Sequence, residues 1–297
     1  MVTKLNIFIF ILFLVTGNWS LLTVSYAEAP KRIISLSPGT TEILFAAGLG
    51  DNIVGVTTFC DHPEEAKLKP KIGGMSNPSL EAVVSLQPDI VIMTTDGNPK
   101  EFDLRLQSLG IKTYVFRART IPELPDGIRK MGAALNEEER FNALASDIEN
   151  ALERVKQHKS GRGEKVLFVI WPEPLIVAGP GTEVDDAINI LGAVNIAGNA
   201  DIEYPKYSLE EILRQSPDII FIGQGKGMED VSSGLLKRLS SLKVVKSGKV
   251  YFVSDHLYRL GPRVIEGIEE LGKHLEGSED SRIRVKKIVP SLEPLAP

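Results

Sequence analysis

Between residues 32 and 116, short apolar runs alternate with polar, helix-periodic stretches. Runs at 33–36, 53–56, 90–93 and 112–116 have the length and β-branched content of buried strands. Ser37, Pro38 and Gly39, followed by Thr40, Thr41 and Glu42, make a turn that opens a helix, with hydroxyls suited to cap it. Residues 102–109 read as a helix ended by Gly110. Strands alternating with helices in this way predict a parallel sheet wrapped by helices.

The alternation breaks at 121–159. Phe141, Leu144, Ile148, Leu152 and Val155 recur at the spacing of one helical face. A helix over 137–159 would be about 34 Å long at 1.5 Å per residue. It is neither Gly/Ser-rich nor of disordered composition, so it predicts a stiff strut able to cross the back of two lobes. Beyond it the strand pattern resumes at 165–170, 219–222 and 250–253, with helices at 184–191 and 263–275. The expected division is 1–27 leader, 31–118 first lobe, 119–162 linking helix region, 163–275 second lobe and 276–297 a charged, frayed tail.

A thirteen-residue pattern ties the halves together. Ser79-Leu80-Glu81 begins the first copy, and Pro88-Asp89-Ile90-Val91 ends it. Ser208-Leu209-Glu210 and Pro217-Asp218-Ile219-Ile220 do the same in the second. Each copy reads as a capped helix start, a short apolar-periodic helix, a proline stop and a buried strand. Two similar α/β units imply two lobes with a ligand cleft between them.

Composition changes this picture little. The 297 residues carry a formal net charge of −5, which argues against nucleic acid as a partner. The single cysteine, Cys60, allows no intramolecular disulfide. The amino terminus is more telling. Lys4 precedes an apolar run over 5–15, and Ser25 and Ala27 supply small residues at −3 and −1 of a cleavage site. These are the parts of a secretory signal peptide cut after Ala27. The alternative cut after Ala29 would sit against Pro30. An uncleaved anchor would need a span of about 20 apolar residues, longer than this run. No cysteine lies near the cut, so no lipid attachment is expected, and the protein is expected in the periplasm.

No enzyme signature is present. The Gly223-Gln224-Gly225-Lys226-Gly227 segment lacks the Ser or Thr and the glycine spacing of a phosphate loop, and reads as a turn. The histidines His62, His158, His256 and His274 form no close pair at metal-ligand spacing, so no metal site is expected. Glu81 and Glu210 each sit in a first helical turn, where an acid complements the helix dipole by about 0.3–1 kcal/mol. Their recurrence at matching positions goes further. Two outward carboxylates, one per lobe, suit docking to basic pockets on a partner. The strand-end loops are rich in aromatic and polar residues: 57–63, 73–77, 171–174, 202–205 and 254–259. In α/β sheets, ligands bind at the carboxyl ends of strands.

With these residues in view, the chain resembles the periplasmic cobalamin-binding proteins of ABC importers, within the wider class of siderophore, haem and cobalamin receptors. The motifs that carry the resemblance span 31–275. They are Arg32 to Pro38 with Thr41-Glu42, Val54 to Thr57, Asp61-His62-Pro63, both Ser-Leu-Glu segments, and Ser254-Asp255 with Arg259 and Pro262-Arg263. The resemblance implies an α/β fold of two Rossmann-like lobes joined by a long backbone helix, with a shallow cleft and limited closure. It implies that Glu81 and Glu210 meet arginines on the two subunits of an importer permease. It also implies that Asp255 and Arg259 face the ligand, and that Phe59 and Tyr204 flank a corrin ring. Met75 and Thr94 stand where tryptophans would be, and Ile176 where a phenylalanine would be, so the pocket is less aromatic than the best-known pattern. Met75 can still pack on a planar ring. His62 and Trp171, expected near the cleft, complete the candidate ligand-binding set.

The resulting expectation is a monomeric, non-catalytic receptor that carries cobalamin or a related corrinoid as cargo, with no catalytic cofactor. The alternative within the class is haem or a ferric siderophore. His62, His256, Tyr258 and Tyr204 are possible axial ligands to haem iron, and Arg259 is a donor for a ferric hydroxamate. An exported enzyme using Asp61, His62, Asp255 and His256 as an acid/base set is the alternative of another class. Loop capping and ligand orientation account for those residues without catalysis.

Overall fold

The computed structural model describes residues 28–95, 97–224 and 228–277. The leader at 1–27, most of the tail and the glycine-lysine turn at 225–227 lie outside the described residues. The first sheet is four-stranded and parallel, in the order β2-β1-β3-β4. Its strands are β1 (Ile33–Ser35), β2 (Ile53–Val56), β3 (Ile90–Thr94) and β4 (Lys112–Phe116). Around it lie α1 (Pro38–Ala46), α2 (Glu64–Lys67), α3 (Leu80–Ser85) and α4 (Lys100–Ser108). The second sheet runs β6-β5-β8-β9, with β7 also on β5. It comprises β5 (Lys165–Pro172), β6 (Leu175–Val177), β7 (Val194–Asn195), β8 (Ile219–Gly223) and β9 (Val250–Val253). Only β6 is antiparallel to its neighbour; the other pairings within this sheet are parallel.

The stretch at 121–159 holds the helix read as a strut and another helix before it. These are α5 (Leu124–Leu135) and α6 (Glu138–His158), joined at Asn136, whose backbone is left-handed. The first was not expected because Pro125, Gly127 and Gly132 dilute its periodic signal. Gly132 has a packing reason. A Cβ there would lie 2.4 Å from the Cβ of Phe141, so the glycine lets the two helices close together. The second helix buries Phe141, Ala145, Ile148, Ala151 and Leu152, largely the face read from the sequence. Also unforeseen were α2, β6, β7, α9 (Met228–Arg238) and α10 (Lys243–Lys246). Helices α7 (Glu183–Ile190), α8 (Leu209–Gln215) and α11 (Val264–Leu275) occupy expected positions.

The period of two along each strand sorts residues into distinct cores. Ile33, Ile90 and Ile92 face one way, and Ile34, Val91 and Met93 the other. Phe168 and Phe221 likewise oppose Leu167, Val169, Ile220 and Ile222. One face of each sheet drains into the same apolar cluster, to which α6 contributes Phe141, Ile148 and Leu152 and α11 contributes Leu271. Each outer face has its own smaller core, built with α3 and α4 on one side and with α8 and α9 on the other.

The thirteen-residue repeat is a repeat of structure. Ser79 Oγ accepts the amide N–H of Ala82 at 3.2 Å, and Ser208 Oγ that of Glu211 at 3.0 Å. The residue before each proline, Gln87 or Ser216, has a left-handed backbone that ends its helix. Asp89 accepts the amide of Arg32 at 2.9 Å, and Asp218 that of Lys165 at 2.9 Å, each fastening the entry of the sheet's first strand. The same two basic side chains turn back onto the helix ends: Arg32 donates to the carbonyls of Leu86 and Gln87, and Lys165 to that of Gln215.

Candidate functional site

A cavity of about 360 Å³ opens where the carboxyl ends of strands from both sheets converge. Its first wall holds the amino end of α1, Phe59 after β2, Met75, and the last residues of β3 and β4, Thr94 and Phe116. Its second wall holds Glu183 at the start of α7 together with Asp255, Tyr258, Arg259 and Leu260 after β9. The two walls touch at a point where no side chain fits. A Cβ on Gly39 would lie 2.5 Å from the carbonyl oxygen of Leu260.

Asn98 organises the first wall. Its carbonyl oxygen accepts the amide of Thr94 at 2.8 Å, and its amide group donates to the carbonyls of Leu36 and Met75 at 3.1 and 3.0 Å. Beneath α1 runs a buried chain of hydroxyls. Ser35 Oγ and Ser37 Oγ each lie 2.8 Å from Thr40 Oγ1, and Thr41 Oγ1 bonds both Ser35 Oγ and the Cys60 thiol. Cys60 is fully buried and also bonded to Thr57. These bonds hold the turn between β1 and α1 in one arrangement.

The second wall is dominated by ion pairs that cross to the first. Arg259 forks onto Asp61, with Nη2 3.2 Å from Oδ2, and its Nη2 also lies 3.1 Å from Asp255 Oδ2. Arg263 forks onto Glu42 with bonds of 3.0 and 2.7 Å. The hydrogen bond from Arg259 holds the Asp61 carboxyl below its ordinary pKa, against the opposing effect of partial burial. Tyr258 lies edge-on to Phe168, with ring centroids 6.1 Å apart, and its hydroxyl abuts Gly223, where a Cβ would be 1.5 Å away. The ring is partly exposed but the hydroxyl end is enclosed. Desolvation first, then Asp255 and Tyr204, push the phenol pKa far above its usual value, so it remains a protonated donor.

Of the seven residues expected at the ligand, Phe59, Met75, Asp255 and Arg259 line this cavity. His62 does not. It is exposed and lines a separate cavity of about 510 Å³ beside Phe45, Asp51 and Pro63, because the chain turns outward at Pro63 into α2. Trp171 is also outside the lining set. The register of β5 on β6 shifts between Val169 and Trp171, and such a shift re-aims a side chain. Trp171 stands exposed opposite Ile176, its indole N–H donating to the Glu173 carbonyl at 2.7 Å. Tyr204 is exposed in a segment whose Pro205 carbonyl accepts the amide of Val177 in β6 and whose Glu203 carbonyl accepts that of Gly179 just beyond it. Glu81 and Glu210 are exposed in the first turns of α3 and α8. Sequence reading missed Gly39, Asn98 and the Glu42–Arg263 pair. Glu42 and Arg263 both belong to motifs that carry the family resemblance, yet nothing local signals that they meet.

The chain matches the periplasmic binding protein family over residues 33–257. It belongs to that family. The vitamin B12-binding protein of Vibrio cholerae serotype O1 is 28% identical over 250 residues, covering 83% of this chain and 89% of the relative. An uncharacterized ABC transporter substrate-binding lipoprotein of Bacillus subtilis is 32% identical, covering 85% and 82%. Among solved structures, the periplasmic vitamin B12-binding protein of Vibrio cholerae superposes with a TM-score of 0.75 at 26% identity, covering 84% of this chain and 98% of that one. The apo form of a periplasmic heme-binding protein from Roseiflexus sp. RS-1 gives 0.76 at 28% identity, covering 83% and 98%. Family membership makes the inter-sheet cavity a candidate binding cleft. Among the described residues, no cluster of three or more His, Cys, Asp or Glu could hold a metal ion, and no helix is long and apolar enough to cross a membrane.

Proposed function

We propose that this protein captures cobalamin or a related corrinoid in the cleft between its two sheets and delivers it to an ABC importer. The observation that carries this reading is the make-up of the cleft. Phe59, Met75 and Phe116 offer flat or adaptable apolar surface for a macrocycle face. Asp255, Arg259 and the hydroxyls at the head of α1 offer donors and acceptors matched to peripheral amides. Four of the seven candidate residues converge there. The relatives named for vitamin B12 support the ligand class. A cavity of about 360 Å³ admits an edge of a macrocycle, which fits a shallow seat with much of the ligand outside.

Haem is the alternative, favoured by the likeness to the heme-binding protein of Roseiflexus. Two features weigh against it. Arg259 is already engaged by two carboxylates, and burial disfavours the phenolate form of Tyr258 that would ligate iron.

Membership of the periplasmic binding protein family supports the rest of the reading. The protein acts by binding rather than catalysis and works as a periplasmic monomer after removal of 1–27. Its lobes are 31–118 and 163–275, and Glu81 and Glu210 meet a permease dimer. The test is a titration of the protein from Glu28 onward with cyanocobalamin, hemin and a ferric hydroxamate, followed by ligand absorbance. Saturable one-to-one binding of cyanocobalamin, tighter than of the others, is expected. Binding of hemin in its place would transfer the role to haem.

A further inference from the structure

Arg259 is the one arginine or lysine among the described residues lining the cleft cavity, and it is held on several sides. Both prongs of its guanidinium reach Asp61, which belongs to the opposite wall, and one prong also reaches Asp255. Glu42 stands 3.6 Å from it while forking onto Arg263. Three carboxylates thus surround two guanidinium groups, and Glu183 adds another carboxylate to the cavity lining. The cluster carries excess negative charge. A carboxylate on an incoming ligand meets an Arg259 whose charge Asp61 and Asp255 already neutralise, so it stands as an acid beside other acids with no counterion of its own. An amide meets no such obstacle. Its carbonyl oxygen can share a guanidinium N–H, and its N–H can donate to Asp255.

We propose that Asp61 is a specificity-determining residue: by occupying Arg259 it makes the cleft accept ligands whose polar groups are amides and reject those that carry carboxylates. This rests on the corrinoid reading above. Asp61 is the lever because it does not itself line the cavity. It acts on the ligand through Arg259 and comes from the other half of the chain, and Asp61→Asn removes its charge while keeping its size.

The experiment compares the wild-type protein, Asp61→Asn and Asp61→Glu. Each is titrated with cyanocobalamin and with its b-, d- and e-monocarboxylic acids, in which one peripheral amide is replaced by a carboxylate of nearly equal size. The wild type is expected to bind at least one acid about 10-fold or more weakly than the parent, as a like-charge contact requires. Asp61→Asn should shrink that penalty to about 3-fold or less, and Asp61→Glu, which keeps the charge, should preserve it. An unchanged penalty in Asp61→Asn, or none in the wild type, overturns the inference while leaving the corrinoid reading intact. A wild type that binds no cyanocobalamin overturns that reading instead, and hemin, a dicarboxylate, then decides the inference. Hemin bound only by Asp61→Asn sustains the filter; hemin bound by the wild type, or by neither protein, removes it.

Discussion

Glu42 and Arg263, 221 positions apart in the chain, meet in a two-pronged ion pair with bonds of 3.0 and 2.7 Å. Glu42 rises from α1 and Arg263 caps α11, so the pair joins the two halves of the molecule beside the cleft. Their side chains are 2% and 14% exposed. Removing one partner of such a pair leaves a charge without compensation, so Glu42→Ala should destabilise the protein by about 3 kcal/mol. Replacing both residues with Met should recover much of the loss. Urea denaturation of the single and double variants checks this, and a double variant as unstable as the single would contradict it.

The contact between Gly39 and Leu260 is as tight as backbone allows. A methyl group at Gly39 would meet the Leu260 carbonyl at 2.5 Å, with no flexible side chain there to move aside. Gly39→Ala should therefore cost about 1–3 kcal/mol of stability through overpacking. It should also weaken ligand binding by prising the cleft walls apart. Unaltered affinity together with unaltered stability would refute the close approach.

Asp89 and Asp218 perform the same task in the two halves, each holding the first strand's entry by backbone hydrogen bonds. Each Asp→Ala change is expected to cost about 1 kcal/mol. Because the sites lie in different sheets, the two losses should add within about 0.5 kcal/mol. A markedly larger combined loss would mean the halves do not behave as separate copies of one unit.

His274 is packed against Tyr251, with ring centroids 4.2 Å apart, and its Nδ1 is buried without a hydrogen-bond partner. Burial lowers its pKa below the ordinary 6.5, and the nearby Glu270 only partly offsets this. The unfolded chain therefore takes up the proton first as pH falls. The neutral ring's contribution is complete above about pH 6.5 and declines below it, down to the folded-state pKa. His274→Phe should flatten the loss of stability as pH falls below about 6.5, read from thermal melts. An identical acid limb in wild type and variant would rule out this origin.

Glu81 and Glu210 are exposed, and neither lines the cleft cavity. The paired change Glu81→Ala with Glu210→Ala should leave cyanocobalamin affinity within about 2-fold and abolish stimulation of the importer's ATP hydrolysis. Full stimulation by the double variant would exclude these glutamates as the docking pair.

Much of this architecture was legible in the chain. Short apolar, β-branched runs gave the parallel strands, a 3.6-residue period gave α6, and Ser79 and Ser208 marked helix starts at matched positions, because burial and the capping of a helix are local demands written in neighbouring residues. Four of seven candidate ligand residues reached the cleft for a similar reason: loops at the carboxyl ends of parallel strands converge wherever such sheets form. What the chain alone could not decide depends on groups brought together across the fold. The α5 helix is hidden by glycines that make sense only in the packed fold, Gly132 against Phe141 and Gly127 against Ala118 and Phe116. A register shift between β5 and β6 turns Trp171 away from the cavity, and the outward bend at Pro63 carries His62 to another cavity. The pairs of Asp61 with Arg259 and of Glu42 with Arg263 span 198 and 221 positions. Which carboxylate neutralises which arginine is fixed by how the two halves face each other, and no local pattern encodes it.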